Sequence, residues 1–217
     1  MTAGLRVEIE RVLGGRCELS EAQWAMLEAH YSLLVKWNRK LNLTRISGVR
    51  EAAEFHYAES LLCGMALPAG LLRVADLGSG AGFPGIPVAV LRPECEVTLI
   101  ERDRRKAVFL REATRDWANV RVLACGANEV VETFDWVLLR AVRWADVQGI
   151  VDRLASHALL LLGEPFGSEA AESLLGEPVV RSDPGREGAF GWKVTCQEQL
   201  PIGRSRWVSR VSRETRA

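Results

Sequence analysis

The sequence predicts an α/β protein in which N-terminal helices precede a doubly wound, mostly parallel β-sheet that closes with an antiparallel hairpin. Residues 1–67 carry apolar side chains at helical spacing. Beyond them, short apolar runs of strand length alternate with helical patterns, which favours a parallel sheet with helices on both faces. Two strand-like segments then flank a turn at 201–203. We therefore expect a helical region at 1–67 packed on a core domain at 68–217.

The sequence of the helical region predicts three helices. Apolar residues at helical spacing mark the first over about 5–13. Ser20 followed by Gln23 forms a capping-box signature, which predicts the start of the second helix. A third helix is expected over about 50–66, because the Pro-Ala-Gly sequence at 68–70 ends the pattern.

The core domain predicts five parallel strands with helices between them. The strands are expected at 72–77, 97–100, 120–123, 135–139 and 158–162, and the helices near 86–92, 104–118 and 144–155. The closing hairpin is expected from strands at 190–197 and 206–211, at one edge of the sheet.

Composition and charge exclude several classes of function. Lys and Arg total 28, as do Asp and Glu, so the net charge gives no sign of a uniformly basic nucleic-acid binder. No window approaches the roughly 18 uninterrupted apolar residues of a membrane span, and the first residues lack the pattern of a secretory signal. The five cysteines are scattered without metal-ligand spacing. We therefore expect a cytoplasmic protein with no membrane segment and no metal.

A glycine-rich turn follows the first predicted strand and opens a helix. The stretch VADLGSGAGFPGIPVAV, residues 74–90, places Gly78, Gly80 and Gly82 at alternate positions. Glycine lets the chain turn sharply and lets backbone N–H groups approach a ligand. In doubly wound sheets, ligands bind beyond the carboxyl ends of the strands, and a helix N-terminus favours an anionic or carboxylate group. The turn is therefore the predicted ligand site.

Two ligands compete for this turn. The run from Gly80 to Gly85 satisfies a dinucleotide fingerprint, with Glu101 about 20 residues further on for a ribose. The alternative is S-adenosylmethionine, since Asp76 lies two residues before the first glycine. A carboxylate repels a pyrophosphate but attracts the ammonium and sulfonium of S-adenosylmethionine. The charge favours a methyltransferase over an oxidoreductase that uses NAD(P), and Glu101 suits the ribose of either ligand.

Several motifs together resemble one family. DLGSGAGFPGIPVAVLRP, TLIERDRRKAVFLREA and FDWVLLRAV, with KWNRKLNLTRIS and HYAESLL upstream, are similar to the glucose-inhibited division protein B family, the RsmG-type small-subunit ribosomal RNA guanine-N7 methyltransferases. The resemblance covers about residues 30–145. It implies a class I, Rossmann-like, S-adenosylmethionine-dependent methyltransferase that acts on guanine N7 of 16S ribosomal RNA or the small ribosomal subunit. We also expect the protein to be a monomer.

The resemblance also implies site residues. Gly78 and Phe83 match cofactor contacts of the family, and Ala127 with Asn128 matches a pair that brackets the adenine. Arg140 matches the arginine of a Ser-Arg-Ala motif. With the residues of the turn, the expected cofactor-binding set is Asp76, Gly78, Gly80, Gly82, Phe83, Glu101, Ala127, Asn128 and Arg140.

This chain departs from the family pattern at four positions. Asn128 stands where the family has an acidic residue, and Gly126 stands where it has an arginine. Glu59 replaces an aspartate, and Leu162 replaces a lysine. The departures at Asn128 and Leu162 keep open a third function, a methyltransferase-fold protein that binds RNA or cofactor without turnover.

The expected chemistry needs no general base, because guanine N7 carries a free lone pair. Alignment of N7, the methyl group and sulfur can then supply catalysis. Arg140 is the candidate for positioning the substrate through a base oxygen or a phosphate. The alternative for Arg140 is a strand-end arginine paired to a local carboxylate. His56 is expected to hydrogen-bond between the helical region and the turn.

Two basic stretches predict an RNA-binding rim. Residues 102–115 contain six Lys or Arg, and residues 204–217 contain five Arg. Such segregation can form a basic face on a neutral protein. The candidates for RNA contact are Arg102, Arg104, Arg105, Lys106, Arg204 and Arg206.

Overall fold

The helical region contains the elements that the sequence predicts, with one irregular turn. We describe a computed structural model that covers residues 4–164, 192–203 and 205–213. Helix α1 spans Leu5–Leu13, and α2 spans Glu21–Leu41 from the predicted capping box at Ser20 and Gln23. Helix α3 (Val49–Ala52) continues through a π-helical segment (Ala53–Ala58) into α4 (Glu59–Met65). A π-helical turn widens the helix and is frequent at functional sites.

The core domain alternates strands and helices. The strands are β1 (Arg73–Leu77), β2 (Glu96–Ile100), β3 (Val120–Leu123), β4 (Trp136–Arg140), β5 (His157–Leu162), β6 (Trp192–Gln199) and β7 (Trp207–Arg213). The helices between them are α5 (Gly85–Leu91), α6 (Arg104–Ala113) and α7 (Trp144–Leu154). A 3-10 turn (Ala127–Glu129) follows β3.

The seven strands form one sheet in the order β3-β2-β1-β4-β5-β7-β6. The first five pair in parallel, while β7 pairs antiparallel with both β5 and β6. This confirms the predicted doubly wound sheet with a closing hairpin. The strand order reverses at β1, whose neighbours are β2 and β4. Ligands of such sheets bind in the crevice at this switch point, where the glycine turn follows β1.

One helix boundary differs from the sequence prediction, and the structure adds the order of the two hairpin strands. Helix α6 ends at Ala113 instead of residue 118, because Thr114 leaves the helical conformation and its hydroxyl donates to the carbonyl of Leu110. In the hairpin, the second strand lies inside the sheet and β6 forms the edge. The first residues of the predicted hairpin, 190 and 191, lie outside the described part of the chain.

The core consists of two apolar clusters, one on each face of the sheet. One cluster joins residues of α1 and α2, such as Leu5 and Leu27, with Ile86 of α5 and Phe109 of α6. The other contains Trp144 and residues on the opposite face of the strands. The helical region thus shares its core with one face of the sheet, and the division at residue 67 into two parts stays a prediction. None of the described helices is both long and apolar enough to cross a membrane.

Candidate functional site

The glycine turn is held by backbone hydrogen bonds to the neighbouring strand. Gly78, Gly80 and Gly82 have φ angles of 76°, 56° and 91°, a region that residues with a Cβ rarely adopt. The N–H groups of Gly78 and Ser79 both donate to the carbonyl of Ile100 at the end of β2. A Cβ on Gly78 would have no heavy atom within 4 Å, so the backbone there is open to a ligand.

Two buried carboxylates lie beneath the turn. Oδ2 of Asp76 accepts a hydrogen bond from the N–H of Gly85 at 3.0 Å, at the start of α5. Glu101 accepts from the N–H of Gly80 at 2.9 Å and from the N–H of Asp103 at 2.8 Å. Burial raises the pKa of Asp76 to about 7. The carboxyl group of Glu101 thus holds the turn at Gly80, and that of Asp76 holds it at Gly85, where α5 begins.

Arg140 lies at the carboxyl end of β4 and is held by the helical region. Its Nη2 donates to the carbonyl of Phe55 at 2.6 Å, and both terminal nitrogens lie 3.1 Å from Nδ1 of His56. Its Nε lies 2.9 Å from Oε2 of Glu59, a side chain that is 1% exposed. Burial raises the pKa of Glu59 and lowers the pKa of Arg140. We call Phe55, His56 and Glu59 the arginine clamp.

His56 joins the arginine clamp to the turn and to the loop after α2. Because Arg140 donates to Nδ1, the neutral ring carries its proton on Nε2, which donates to Oγ1 of Thr44 at 2.8 Å. The ring also stacks on Phe83, with centroids 4.5 Å apart. Burial and the charge of Arg140 lower the pKa of His56 to about 3, so the ring is neutral near pH 7.

The expected hydrogen bond from His56 to the turn is wrong. His56 contacts the turn by ring stacking, because its two nitrogens face Arg140 and Thr44. The hydrogen bond to the turn comes instead from His30, whose Nε2 lies 3.0 Å from the carbonyl of Ala81. Both histidines therefore link the helical region to the turn, by different contacts.

A cavity of 580 Å³ opens over these groups, and we call it the turn pocket. Five of the predicted site residues line it: Gly78, Gly80, Phe83, Arg140 and Arg206. Arg206 precedes β7, and its Nε lies 3.7 Å from Oε1 of Glu59. The fold therefore brings the turn, the end of β4 and the hairpin together around one cavity.

Other predicted residues do not line the turn pocket. Asp76, Gly82 and Glu101 support the turn from within the structure. Ala127 and Asn128 lie in the 3-10 turn after β3, where the carbonyl of Asn128 accepts from Arg153. Their roles in cofactor binding stay predictions.

Among the described residues, Arg206 is the one member of the predicted RNA-binding rim that lines the turn pocket. Arg104, Arg105 and Lys106 form the first turn of α6 at the carboxyl edge of the sheet, just after Arg102. None of the four lines the turn pocket, and Arg204 lies outside the described residues. Within the described ranges, no three His, Cys, Asp or Glu side chains are grouped as a metal site would need.

Sequence reasoning missed several pocket residues. Thr44 and Leu43 come from the loop after α2, and Leu162 with Gly163 comes from the end of β5. Thr44 belongs to the Asn-Leu-Thr motif, which was a signal for a site role. Ala141 and Arg143 follow Arg140 along the pocket wall; Ala141 matches the alanine of the Ser-Arg-Ala motif, whereas no pattern in the sequence marks Arg143 as a pocket residue.

The chain is similar to a known family and to several of its members. The family model described as "rRNA small subunit methyltransferase G" matches residues 23–158. A ribosomal RNA small subunit methyltransferase G from Xylella fastidiosa strain M23 is 40% identical over 136 residues, which cover 62% of this chain and 63% of that protein. The protein of the same name from Pelotomaculum thermopropionicum is 47% identical over 96 residues, 44% of this chain and 40% of that one. The chain therefore matches less than two thirds of the length of these relatives.

Solved structures show the same fold at low sequence identity. The N-methyltransferase NodS from Bradyrhizobium japonicum WM9, in complex with S-adenosyl-L-homocysteine, aligns with a TM-score of 0.54 at 16% identity, over 86% of this chain and 99% of that one. The ribosomal protein L11 methylase from Lactobacillus delbrueckii aligns with a TM-score of 0.52 at 12% identity, over 73% and 78%. These matches support the methyltransferase fold that the strand order shows.

Proposed function

The chain belongs to the rRNA small subunit methyltransferase G family, and from that premise we propose that it transfers a methyl group from S-adenosylmethionine to N7 of a guanine in 16S ribosomal RNA. The observation that carries the proposal is the turn pocket, which joins an open glycine turn to a clamped arginine. The substrate is the RNA alone or the assembled small subunit, and the reaction takes place in the cytoplasm. The protein acts as a monomer and needs no metal.

The residues of the turn fit S-adenosylmethionine, which when bound supplies an electrophilic methyl group on its sulfonium. Gly78 has no side chain, so the space beside its backbone stays open to a ligand. Glu101 is oriented by two backbone N–H groups and keeps further lone pairs for the hydroxyls of a ribose. The carboxylate of Glu101 beneath the turn favours a cationic ligand over a pyrophosphate, and Asp76, whose pKa is about 7, adds a partial negative charge near neutral pH.

The arginine clamp fits a guanine that presents N7 to the methyl group. N7 holds a free lone pair, so the chain needs only to orient the base and exclude water. Nη1 of Arg140 uses one N–H on His56 and keeps the other for an acceptor on the base, such as O6. The clamp limits the motion of Arg140, and a fixed donor costs little entropy on binding.

A methyl-transfer assay tests the proposal. The full chain is incubated with labelled S-adenosylmethionine and either small subunits or deproteinised 16S RNA from cells that lack this modification. Digestion to nucleosides and mass spectrometry should then detect N7-methylguanosine. Methyl transfer to another atom would contradict the N7 assignment. Cofactor binding with no transfer to either substrate would support the non-catalytic alternative.

Calorimetry tests the cofactor and a variant of the turn. S-Adenosylhomocysteine should bind, whereas NAD should not; the reverse would support the oxidoreductase. Gly80→Leu should abolish binding of S-adenosylhomocysteine while the circular dichroism spectrum stays unchanged, because Gly80 lines the pocket and a Cβ there meets only the carbonyl of Gly78 at 3.8 Å. Unchanged affinity in this variant would contradict the cofactor site.

The predicted rim has its own test. Arg104 and Arg105 begin α6 at the sheet edge that carries the turn. If they contact phosphates, Arg104→Gln/Arg105→Gln should weaken RNA binding and flatten its dependence on salt, with the affinity for S-adenosylhomocysteine unchanged. An unchanged salt dependence would remove these two residues from the RNA-binding surface.

A further inference from the structure

The stretch from residue 36 to residue 50 is the most uniformly basic part of the helical region. It contains five Lys or Arg and no Asp or Glu: Lys36, Arg39, Lys40, Arg45 and Arg50. We call these five the basic segment. All five are exposed, and across the described ranges none makes an ion pair or a side-chain hydrogen bond. By contrast Arg11, Arg115 and Arg143, which are also exposed, each lie beside a carboxylate three residues away.

Unpaired cations of one sign repel each other unless an anion compensates them. Lys36, Arg39 and Lys40 are three or four residues apart on α2, so their side chains lie on neighbouring parts of one helix surface. Arg45 and Arg50 follow in the loop and in α3. Such a field attracts a polyanion and speeds its association.

A second cavity, of 240 Å³, opens beside the basic segment, and we call it the α2 cleft. Apolar side chains that include Tyr31, Val35 and Ile46 line it, and the polar groups of Asn38, Arg39 and Ser47 complete its wall. An apolar slot with a cation and a few hydrogen-bonding groups suits the flat face and polar edge of a nucleobase.

The α2 cleft and the turn pocket share a wall. Thr44 and His56 line both cavities, and His56 holds Arg140 on the other side. The loop that carries Thr44 is fixed by Asn38, whose amide donates to the Thr44 carbonyl and accepts from its N–H, each at 2.9 Å. The cleft is therefore built before any ligand arrives, and it lies next to the position of the reacting base.

We propose that the α2 cleft binds a nucleotide that flanks the methylated guanine in single-stranded RNA, with the basic segment on the adjoining phosphates. This inference rests on the proposed function, because it takes RNA as the substrate of the turn pocket. The base of the flanking nucleotide enters between α2 and the Thr44 loop. Arg39, at the wall of the cleft, and Arg45, in the same loop, contact the phosphate backbone. The basic segment thus orients the RNA across the shared wall towards Arg140.

The test measures the binding of two RNA probes, a labelled 12-residue oligouridylate and deproteinised 16S RNA, over a range of salt concentrations. Arg39→Gln/Arg45→Gln removes two charges from the basic segment. The matched control, Arg73→Gln/Arg121→Gln, removes two charges from exposed residues at the amino ends of β1 and β3, on the side of the sheet away from the turn pocket. Val35→Trp fills the cleft from a side chain that is 41% exposed, and Ser47→Trp fills it from the loop if the first variant is unstable.

The first double variant should bind both probes at least tenfold more weakly. The slope of log affinity against log salt is negative and should become less steep by about 1.4, because each of the two phosphates that is no longer neutralised accounts for roughly 0.7. The control variant should have the same affinity for both RNA probes, and the same salt dependence, as the wild type. The cleft-filling variant should bind both RNA probes more weakly than the wild type, with the same slope of log affinity against log salt. All variants should keep their affinity for S-adenosylhomocysteine.

Other outcomes would overturn the inference. If the wild type binds RNA and the two double variants behave alike, the inference fails while the proposed function stands. If the wild type binds S-adenosylhomocysteine but neither RNA probe, the inference fails, and methyl transfer to assembled small subunits then decides whether the proposed function stands. Binding of the basic segment to phosphatidylglycerol vesicles in place of RNA would assign it to a membrane surface and would also overturn the inference.

Discussion

The two walls of the turn pocket are built in different ways. The wall of the glycine turn comes from one stretch of chain between β1 and α5. Apart from the contact of His30 with the carbonyl of Ala81, its hydrogen bonds stay within this stretch or reach the end of the neighbouring strand. The wall around Arg140 joins β4 to a helix about 80 residues earlier, through Phe55, His56 and Glu59. Local backbone conformation fixes the first wall, whereas packing between distant segments fixes the second. Substitutions in the two walls should therefore have different effects on stability and on turnover.

The largest loss of stability is expected within the turn, from Gly82→Ala. A Cβ there would lie 2.4 Å from Cδ1 of Ile86, which is fully buried, and the φ angle of 91° disfavours any side chain. Overpacking and backbone strain together should cost about 3 kcal/mol of the free energy of unfolding. Gly80→Ala is the matched control, since its Cβ meets only one atom at 3.8 Å; strain alone should cost about 1 kcal/mol. Urea unfolding that gave equal losses would contradict this account of the turn.

A loss of similar size, but dependent on pH, is expected from Arg140→Ala. The substitution leaves the buried carboxylate of Glu59 with the more distant Arg206, 3.7 Å away, and should cost about 3 kcal/mol at pH 8. The raised pKa of Glu59 marks a carboxyl group that favours its neutral form in the folded protein. Its charged form therefore costs stability as the pH rises, and protonation relieves that cost as the pH falls.

Urea unfolding at pH 5 and pH 8 checks this prediction. The loss from Arg140→Ala should be clearly smaller at pH 5. The double variant Arg140→Ala/Glu59→Gln should recover most of the stability at pH 8 and should lose the pH difference. An equal loss at both pH values would mean that Glu59 is not the group left unpaired.

A smaller effect, on turnover, is expected from two substitutions of His56. Asn places an amide oxygen near the position of Nδ1 and can still accept from Arg140, while Gln places its amide near Nε2 and can still donate to Thr44. If the contact with Arg140 matters for catalysis, His56→Gln should lower single-turnover methyl transfer about tenfold more than His56→Asn. Both should lose the ring stacking on Phe83 equally. The opposite order would assign the role to Thr44.

The smallest effect is expected from Asn128→Ala. Asn128 is exposed, and its backbone carbonyl already accepts from Arg153. If the adenine is bound mainly by backbone groups there, the affinity for S-adenosylhomocysteine should fall less than tenfold, under about 1.4 kcal/mol. Calorimetry that showed a larger loss would mean that the side chain itself holds the adenine.

The same contrast explains what the sequence could predict. The parallel strands, the capping box and the glycine turn follow from short-range patterns, and each has the predicted place in the fold. The arginine clamp was not predictable in detail, because it depends on how the π-helical segment packs on β4. The sequence allowed a carboxylate partner for Arg140, but nothing local identified Glu59 as that partner.

The basic segment shows a different kind of miss. Its five cations without an acidic residue are visible in the sequence. Four of them lie in the KWNRKLNLTRIS motif, but they alternate there with the apolar stripe of a helix, so the sequence does not mark them as a basic site. Their importance depends on the absence of ion pairs across the described ranges and on the cleft beside them, which only the structure provides.

The most direct test of the two-wall account is Arg140→Lys, measured for cofactor affinity and for single-turnover methyl transfer in parallel. Lysine keeps a positive charge beside Glu59 but loses the planar fork that can hold a base and His56 together. We expect an affinity for S-adenosylhomocysteine within about threefold of the wild type and a methyl-transfer rate reduced at least about 100-fold. Equal losses of affinity and rate, or an unchanged rate, would contradict the separation of the pocket into a cofactor wall and a substrate wall.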